Sequence, residues 1–341
     1  MESAHTTERP RTPTIRDVAR RAGVGVGTVS RVLNDSPSVS EDAQARVRDA
    51  IEELGYRRSS TARALSVGRS QAVGVVAPFF TSSSVVDRLR GVVEHLSDND
   101  YDVMLFAVET LRQRADAFRD FARRDRLDGL LVISLPVSDQ EVASLRRDGL
   151  PIVLVDVKHD DLPHVVIDDV RGGELATEHL IGKGHRRIGF VGDVPTNLFG
   201  FTSSEHRREG FRRALRRARI TPAPELELRG PYGRREAREM ALALLRRDDP
   251  PTAIFAASDV QAIGVLEAAT ELGLQVPGDV AIIGFDDIEM AAVLGLTTVR
   301  QPLHETGVHG ADLLLTTIQG RRRRRPKAEL QPLTVVERRT A

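Results

Sequence analysis

The 341-residue chain contains no cysteine. This absence excludes disulfide bonds and thiolate metal sites, and it is typical of a cytoplasmic protein, which we expect this chain to be. Long apolar runs are also missing, because even a run such as residues 281–285 has only the length of a strand. The first residues are polar and contain no apolar signal-peptide core, so we expect no secretion signal.

Net charge is absent too. The 49 basic and 49 acidic side chains cancel, so a global positive field cannot be the argument for nucleic-acid binding. The only lysines are Lys158, Lys183 and Lys327, and arginine supplies the rest of the positive charge. Arginine makes the better bidentate contact with phosphate. Nucleic-acid binding must therefore be argued from individual motifs.

The amino-terminal part has helical periodicity in three short pieces. Thr14 and Asp17 resemble a capping box that opens a first helix, which extends to Ala22. A second short helix is predicted over residues 26–33, and a third over residues 40–55, with a serine at its start and a glycine at its end. Three helices in about forty residues predict a small bundle.

Three alternate glycines, Gly23, Gly25 and Gly27, precede the second helix. Such glycines could cradle the phosphate of a nucleotide, or they could form the turn of a helix-turn-helix. A dinucleotide loop needs a strand before it, but the preceding DVARRAG is helical, and GVGVGT lacks both the G-x-G-x-x-G spacing and the lysine of a P-loop. The helix-turn-helix explains the whole segment, with the second helix in the major groove of DNA.

From Gln71 onward, short apolar runs such as VGVVAP, GLLVIS and VAIIGFDD alternate with amphipathic helices. Strands that are buried on both faces and joined by helices predict parallel sheets covered by helices. Two series of four or five such units predict two α/β lobes, which divide near Asp168. Small ligands in such folds bind at the carboxyl ends of strands, here in a cleft between the lobes.

The motifs resemble those of the lactose-repressor (LacI/GalR) family in their order and spacing. The DNA-binding part is TIRDVARRAGVGVGTVSRVLND followed by VSEDAQARVRDAIEELGYR, and the likeness continues through ARALSVGRSQAVGVVAP, GHRRIGFVG, PTAIFAASDVQAIG, VPGDVAIIGFDD and LTTVRQPL. The resemblance covers nearly the whole chain after Thr14. It implies an all-α helix-turn-helix headpiece followed by an α/β two-lobed domain with the type I periplasmic-binding-protein-like fold.

The domain organisation follows from these patterns together with the resemblance. We expect a disordered tail at residues 1–13, the helix-turn-helix domain at 14–57, a hinge helix and linker at 58–70, and the two-lobed effector-binding and dimerisation domain at 71–341. The resemblance implies a transcriptional repressor that binds a pseudo-palindromic operator as a homodimer. A small molecule between the lobes, a sugar or sugar derivative, would control the affinity for DNA. No cofactor, metal ion or membrane partner is expected.

The DNA-contacting positions of the family can be carried over residue by residue. They are Thr14, Val26, Gly27, Thr28, Ser30, Arg31, Ser59, Ala62 and Leu65. Val26 and Gly27 fall at the first base-reading positions, although valine can only contact a thymine methyl and glycine has no side chain. Arg31 falls where an arginine points into the groove; the alternative is a solvated side chain. Leu65 falls at the wedge that enters a minor-groove base step, and its alternative role is to dock on the carboxy-terminal domain.

Candidate effector-binding residues lie just after predicted strands or in the R-x-x-G-F motif. They are Phe79, Phe80, Ser134, Asp156, Phe201, Arg207, Ser258 and Asp286. An arginine fork, carboxylates and aromatic faces are what the hydroxyls and the apolar ring face of a sugar require. Two alternatives remain open. Asp286 could cap the short helix that comes after it, and Ser258 could cap the helix that begins at Asp259.

Other classes of protein explain the sequence less well. The pairs Asp168–Asp169 and Asp286–Asp287 could be proposed as glycosidase carboxylates, but adjacent residues of a strand point to opposite faces. The chain has no G-x-S-x-G nucleophile elbow. We therefore expect no enzyme. A sugar-binding protein without a regulatory role would leave residues 14–65 unexplained.

Overall fold

The computed structural model describes residues 13–33, 36–56, 70–120, 127–147, 149–194, 198–320, 329–330 and 332–341. They form two compact units that divide between Ser70 and Gln71. The described α-helices are α1 (Ile15–Ala22), α2 (Val26–Val32), α3 (Glu41–Leu54), α4 (Ser83–Asp98), α5 (Leu111–Asp120), α6 (Asp139–Arg147), α7 (Asp169–Gly182), α8 (Ser203–Arg217), α9 (Arg234–Leu245), α10 (Asp259–Glu271), α11 (Glu289–Leu294) and α12 (Leu303–Ile318). The described strands are β1 (Ala72–Pro78), β2 (Asp102–Val108), β3 (Gly129–Ile133), β4 (Ile152–Val155), β5 (His164–Val166), β6 (Ile188–Asp193), β7 (Glu227–Gly230), β8 (Ala253–Ala256), β9 (Ala281–Asp286), β10 (Thr297–Arg300), β11 (Glu329–Leu330) and β12 (Thr334–Val336).

The amino-terminal unit contains the three predicted helices. At the start of α1, the Asp17 carboxylate accepts hydrogen bonds from the amide of Thr14 at 2.9 Å and from its hydroxyl at 2.6 Å, which confirms the capping box. The Ser40 hydroxyl accepts from the amide of Ala43 at the start of α3, and Gly55 ends that helix in the left-handed region at φ 59°. The core of the bundle contains a completely buried valine from each helix, Val18, Val29 and Val47.

The carboxy-terminal unit has two lobes, each built on a six-stranded sheet. Lobe 1 carries the strand order β11-β5-β4-β3-β1-β2, and lobe 2 carries β12-β10-β9-β8-β6-β7. Every described pairing is parallel except that of β10 with β12. The predicted parallel α/β architecture is therefore confirmed. It directs the carboxyl ends of the long central strands in each lobe to one edge.

The chain crosses between the lobes three times, whereas the alternation of patterns predicts a single division near Asp168. The first crossing joins β5 to α7. At the second, β10 of lobe 2 is followed by α12, whose Leu314 packs in the lobe 1 core with Leu131 and Val155. The third crossing lies between β11, which pairs with β5, and β12, which pairs with β10. An amphipathic pattern shows that a helix is packed but not against which sheet, so it does not predict the return to lobe 1.

Glycines allow two helix pairs to approach until their backbones touch. A Cβ on Gly173 in α7 would lie 2.0 Å from the carbonyl oxygen of Arg207 in α8, and a Cβ on Gly307 in α12 would lie 2.1 Å from that of Arg88 in α4. No side chain larger than hydrogen fits at such distances. These contacts fix the backbone positions of Arg88 and Arg207. In the described part of the chain, no helix is long and apolar enough to cross a membrane.

Candidate DNA-binding surface and interlobe site

The exposed face of α2 carries most of the predicted base-reading positions. Val29 and Val32 are buried against the bundle, whereas Val26, Gly27 and Arg31 are exposed on the other side. A Cβ added at Gly27 would meet nothing within 4 Å, so this position is open space at the helix start. Thr28 and Ser30 are half-buried beside this face. The exposed face of α2 thus has only valine and glycine at its amino-terminal end, with an arginine one turn further on.

Charge is distributed unevenly over the amino-terminal unit. Residues 13–33, which contain α1 and α2, carry four arginines and one aspartate, whereas residues 36–56 carry two arginines and five carboxylates. Arg20 and Arg21 are exposed but pair with Asp17 and Glu53, respectively. Arg31 is exposed and forms no ion pair with any described residue. Although the whole chain has no net charge, the segment that contains α1 and α2 therefore carries four positive charges and one negative charge, and the exposed Arg31 on α2 is one of them.

The other predicted DNA-contacting residues lie at the start of α1 or in the predicted hinge. Thr14 is exposed at the start of α1, where its hydroxyl and amide are bonded to Asp17. Ser59, Ala62 and Leu65 lie outside the described residues, and so does nearly all of the predicted hinge, residues 58–70. The hinge assignments therefore stay predictions from the resemblance.

In lobe 1 and lobe 2, four of the predicted effector residues share an unusual backbone conformation. Three of them come directly after a strand: Phe79 after β1 with φ 44°, Ser134 after β3 with φ 51°, and Asp156 after β4 with φ 65°. The fourth, Asp286, is the last residue of β9 and has φ 121°. Residues other than glycine rarely adopt positive φ, because the Cβ then crowds the backbone. Strain of this kind persists where the surrounding fold enforces it, and it clusters at binding sites. We call the edge formed by these strand ends the interlobe site.

A chain of polar contacts begins in lobe 1. The Ser134 hydroxyl donates to Asp156 Oδ2 at 2.7 Å, and Arg88 Nη2 lies 2.8 Å from Asp156 Oδ1. The same Nη2 donates to Gln301 Oε1 at 2.8 Å. Gln301 lies at the second crossing, and its Nε2 donates to Asp286 Oδ1 of lobe 2 at 2.5 Å. The ends of β4 and β9 are thus joined through two buried side chains.

Arg207 continues the contacts into lobe 2. Its Nε donates to Asp169 Oδ1 at 2.8 Å, its Nη1 donates to the carbonyl oxygen of Ala257 at 2.7 Å, and Nη1 also lies 3.6 Å from Asp286 Oδ1. The guanidinium carbon lies 3.7 Å from the centre of the Phe285 ring, a cation–π contact. Because Asp169 opens α7 directly after the first crossing, Arg207 ties that crossing to the end of β9.

Burial governs the protonation of these carboxyls. It raises the pKa of Asp286 to about 6, against the attraction of Arg207 and Arg88. It also raises the pKa of Asp169, and the nearby Asp156 carboxylate adds to that rise while Arg207 opposes it. Asp193, at the end of β6, has its pKa raised by burial as well. The desolvation of these carboxyls therefore raises their pKa values by more than the guanidiniums lower them.

Phenylalanines from both lobes form a wall beside these groups. The ring of Phe79 from lobe 1 lies 5.7 Å from that of Phe199 and 6.4 Å from that of Phe201, both in the segment after β6. Phe79 is 41% exposed, and Phe80 beside it is 37% exposed in the turn before α4. The wall can receive the apolar face of a ring-shaped ligand.

Tyr232, which no sequence pattern indicates, and Asp259, which follows strand β8 directly after Ser258, both lie close to Ser258. The Tyr232 ring is half exposed in the loop after β7, but its hydroxyl is desolvated next to Ser258. This desolvation, together with the nearby Asp286 carboxylate, raises the pKa of Tyr232 to about 12. Asp259, completely buried at the start of α10, accepts from the Thr298 hydroxyl at 2.6 Å and from the amide of Ile288 at 3.0 Å.

Of the two residues that could instead cap a helix, Ser258 does so and Asp286 does not. The Ser258 hydroxyl accepts from the amide of Gln261 at 3.2 Å, so Ser258 caps α10 while it also contacts Tyr232. Asp286 does not cap α11, because the residue at that helix start is Ile288 and no side chain bonds there. Asp287 pairs instead with Arg300 at 2.6 Å and Arg338 at 2.7 Å.

Arg88 carries a signal in the sequence. It lies on the apolar stripe of α4 formed by Val85, Val92 and Leu96, where an arginine must be buried. Gln301 has only the weak signal of a polar residue after a strand, and Asp169 has only that of an acidic residue beside Asp168. Tyr232 stands in the glycine-bounded loop GPYG, whose length gives no direction for its ring.

A pocket of about 230 Å³ lies beside the second crossing, lined among others by Asp87, Arg90, Asp287 and Arg300. None of the predicted effector residues lines it, but Gln301, which joins Arg88 to Asp286, does. Among the described residues, no cluster of histidine, aspartate and glutamate has the arrangement of a metal site.

Known proteins resemble this chain over almost its whole length. The profile of bacterial regulatory proteins of the lacI family matches residues 14–59, and that of the periplasmic binding protein-like domain matches residues 177–341. The HTH-type transcriptional repressor PurR of Aliivibrio salmonicida is 32% identical over 94% of this chain and 97% of that protein. The ribose operon repressor of Escherichia coli K12 is 33% identical, with the same coverage of both chains.

A solved structure extends the likeness to the fold. The lac repressor dimer bound to operator and the anti-inducer ONPF matches with a TM-score of 0.84 and 26% identity, over 97% of this chain and 99% of that one. The predicted fold class, a helix-turn-helix headpiece with a two-lobed type I periplasmic-binding-protein-like domain, is confirmed.

Proposed function

Since the chain belongs to the lacI family of bacterial regulatory proteins, we propose that it is a cytoplasmic repressor that binds a pseudo-palindromic operator as a homodimer. A small molecule, a sugar or sugar derivative, binds at the interlobe site and controls the affinity for DNA. The observation that carries the proposal is the exposed face of α2, which carries Arg31 and belongs to a positively charged segment of the amino-terminal unit. The relatives PurR and the ribose operon repressor are repressors, and we propose no enzymatic activity.

The roles at the DNA follow from side-chain chemistry. Val26 contacts a thymine methyl and Arg31 reaches a base edge, whereas Thr14, Thr28 and Ser30 hold phosphates. Gly27 brings the backbone of α2 close to the groove floor. Ser59, Ala62 and Leu65 belong to the hinge, with Leu65 as the wedge that kinks the operator.

In vitro selection from random duplexes, followed by a gel shift, tests DNA binding directly. We expect a palindromic consensus and a shift that weakens steeply with salt, because phosphate contacts release counterions. If the purified chain selects no sequence, or shifts every duplex equally, it is not an operator-binding repressor.

Arg31→Ala should weaken operator binding by about 1–3 kcal/mol and relax specificity at one base pair of each half-site. The reason is that Arg31 is exposed, free of ion pairs with described residues, and one turn from the start of α2. Fluorescence anisotropy on the selected operator and on a scrambled duplex measures the effect. Arg48→Ala on α3, also an exposed arginine, is the control and should leave the affinity unchanged.

An equal loss on operator and scrambled duplex would mean that Arg31 holds a phosphate and does not read a base. An unchanged affinity would show that Arg31 is a solvated side chain.

Exposed apolar side chains in two places support the proposed homodimer. In lobe 2 they lie on α11, where Met290, Val293 and Leu294 are 48%, 69% and 37% exposed. In lobe 1 they lie on α4, the edge strand β2 and the start of α5: Val93, Met104, Leu105 and Leu111. Apolar groups of this density on a surface mark association sites. We assign both patches to contact with a second copy of the chain.

Val293→Asp should raise the dimer dissociation constant by at least about tenfold, which corresponds to about 1.4 kcal/mol. A buried carboxylate without a partner is costly, and two-fold symmetry places two of them in one interface. Sedimentation equilibrium measures the constant. Ala243→Asp, at an exposed position of α9, is the control and should not change it. A dimer that tolerates Val293→Asp as well as Ala243→Asp would remove α11 from the interface.

At the interlobe site, we assign one role to the polar side chains and another to the aromatic rings. Asp156, Arg207 and Asp286 orient the hydroxyls of the ligand, assisted by Ser134 and Ser258. The rings of Phe79, Phe80 and Phe201 cover its apolar face. The strained strand ends and the polar contacts that join both crossings support this placement.

A further inference from the structure

The interlobe site holds more carboxylates than cations. Asp156, Asp169, Asp193 and Asp286 converge there, and among the described residues the positive charges that act on them most are those of Arg88 and Arg207. The exposed His206 on α8 adds a smaller attraction on Asp169. With every carboxyl ionised, the formal charge of the site is about −2.

Both guanidiniums are largely engaged inside the protein, and of the Arg207 nitrogens only Nη2 forms no hydrogen bond with a described residue. The Arg88 side chain is 2% exposed, and its Nη2 contacts Asp156 and Gln301. The Arg207 side chain is 8% exposed, with Nε directed to Asp169, Nη1 to a backbone carbonyl, and one ring face of Phe285 against the guanidinium carbon. Neither arginine offers an open fork to an anionic ligand.

The surface that a ligand meets is instead rich in hydrogen-bond acceptors. The Asp156 and Asp169 side chains are 17% and 16% exposed, each more than the arginine that pairs with it. Asp193 is half-buried at the end of β6, and the half-exposed Tyr232 ring stands near it. A phosphate or carboxylate placed here would face like charges in a desolvated setting, which disfavours its binding.

We propose that the interlobe site selects a small polyol that carries an ammonium group, such as an amino sugar, and excludes sugar phosphates and sugar acids. The inference rests on the proposed function, which places the effector at this site. An ammonium group supplies the missing positive charge and three hydrogen-bond donors at once. Phe79 and the half-buried Phe201, which pack with the buried Phe199, add aromatic faces, to which cations are attracted.

Isothermal titration calorimetry with matched ligands tests this selection. The panel contains glucose, galactose, mannose and ribose, each beside its amine-substituted and phosphorylated forms, with gluconate as the acid. We expect an amine-substituted member to bind at least about tenfold more tightly than its hydroxyl counterpart, a difference of about 1.4 kcal/mol, and the phosphates and gluconate not to bind.

Proton linkage supplies a second readout in the same experiment. Repeating each titration near pH 6 in two buffers of different ionisation enthalpy gives the number of protons exchanged. An ammonium ligand stabilises the ionised carboxylates and should release protons. A neutral ligand that seals the site without adding positive charge should cause proton uptake.

Asp193→Asn removes one carboxylate without changing the shape of the side chain. It should reduce the preference for the amine at least about fivefold, because one attraction is lost, while the affinity for the neutral counterpart changes less. Asp248→Asn, on an exposed loop of lobe 2, is the matched control and should leave the preference unchanged.

The possible results separate this inference from the proposed function. A neutral sugar that binds as tightly as its amine and takes up protons would overturn the ammonium selection and leave the effector site intact. Tightest binding by a phosphate or by gluconate would overturn it as well. If no member of the panel binds, both the ammonium selection and the proposal of a polyol effector are wrong. Operator binding is then judged separately, by the in vitro selection experiment.

Discussion

Arg207→Met should abolish ligand binding and lower the free energy of unfolding by about 3–5 kcal/mol at pH 7, the cost of breaking a buried ion pair on one side. Arg207 is the cation that lies against both Asp169 and Asp286. Methionine fills a similar volume above the Phe285 ring but leaves both carboxylates without that compensation. Urea denaturation at pH 7 measures the loss.

The loss should shrink at pH 5. Burial already raises the pKa of Asp169, and that of Asp286 to about 6, and removal of Arg207 takes away the attraction that opposes this rise. Both carboxyls in the variant therefore bind protons more readily than in the parent protein. As the pH falls, protonation removes the uncompensated charge and recovers part of the stability.

Arg213→Met is the matched control, since Arg213 is an exposed arginine on the same helix that pairs with Glu209. It should leave the free energy of unfolding equal to that of the parent protein. If Arg207→Met costs no more than Arg213→Met, or costs the same at both pH values, Arg207 does not compensate the buried carboxylates.

Asp259→Asn should flatten the dependence of stability on pH between about pH 6 and 8. Burial, reinforced by the Asp286 carboxylate, raises the pKa of Asp259 from 3.8 to about 8. Because the folded pKa is the higher one, the folded protein binds more protons than the unfolded chain between these values. Stability therefore falls as the pH rises, by up to about 1.4 kcal/mol for each pH unit, and asparagine removes the contribution of this group.

Asparagine preserves the two hydrogen bonds of Asp259, because its oxygen can accept from the amide of Ile288 and its amide group can donate to the Thr298 hydroxyl. Thermal unfolding at pH 6, 7, 8 and 9 measures the slope. The exposed Asp249, which pairs with Arg187, supplies the control Asp249→Asn, which should keep the parent slope. An equal slope in the parent protein and Asp259→Asn would show that Asp259 is ionised throughout this range.

Local features were predictable from the sequence because they depend on neighbours within one or two turns. The Thr14–Asp17 cap, the Ser40 cap and the Gly55 terminus all occur where the pattern places them. The predicted strand ends also occur, and four effector candidates lie on them with positive φ. Residues directly after a buried strand of an α/β fold lie at the binding edge, so position alone was informative.

Features that depend on pairing distant segments were not predictable. Arg88 and Gln301 are 213 positions apart, and only the return of α12 to lobe 1 brings them into contact. The position of Arg88 in an apolar stripe shows that the side chain is buried but not which acceptor it meets. The aromatic wall likewise combines Phe79 of lobe 1 with rings from the segment after β6. These contacts depend on the three crossings, which no local pattern encodes.

The most direct test of a ligand-controlled repressor is the reciprocity between the interlobe ligand and the operator. The selected operator is titrated with the protein in the absence and presence of the tightest-binding polyol, and the polyol is then titrated into free and operator-bound protein. Operator affinity should change by about 5–150-fold, and ligand affinity should change by the same factor in the reciprocal titration. Identical operator affinities with and without a ligand that saturates the interlobe site would contradict control of DNA binding from that site.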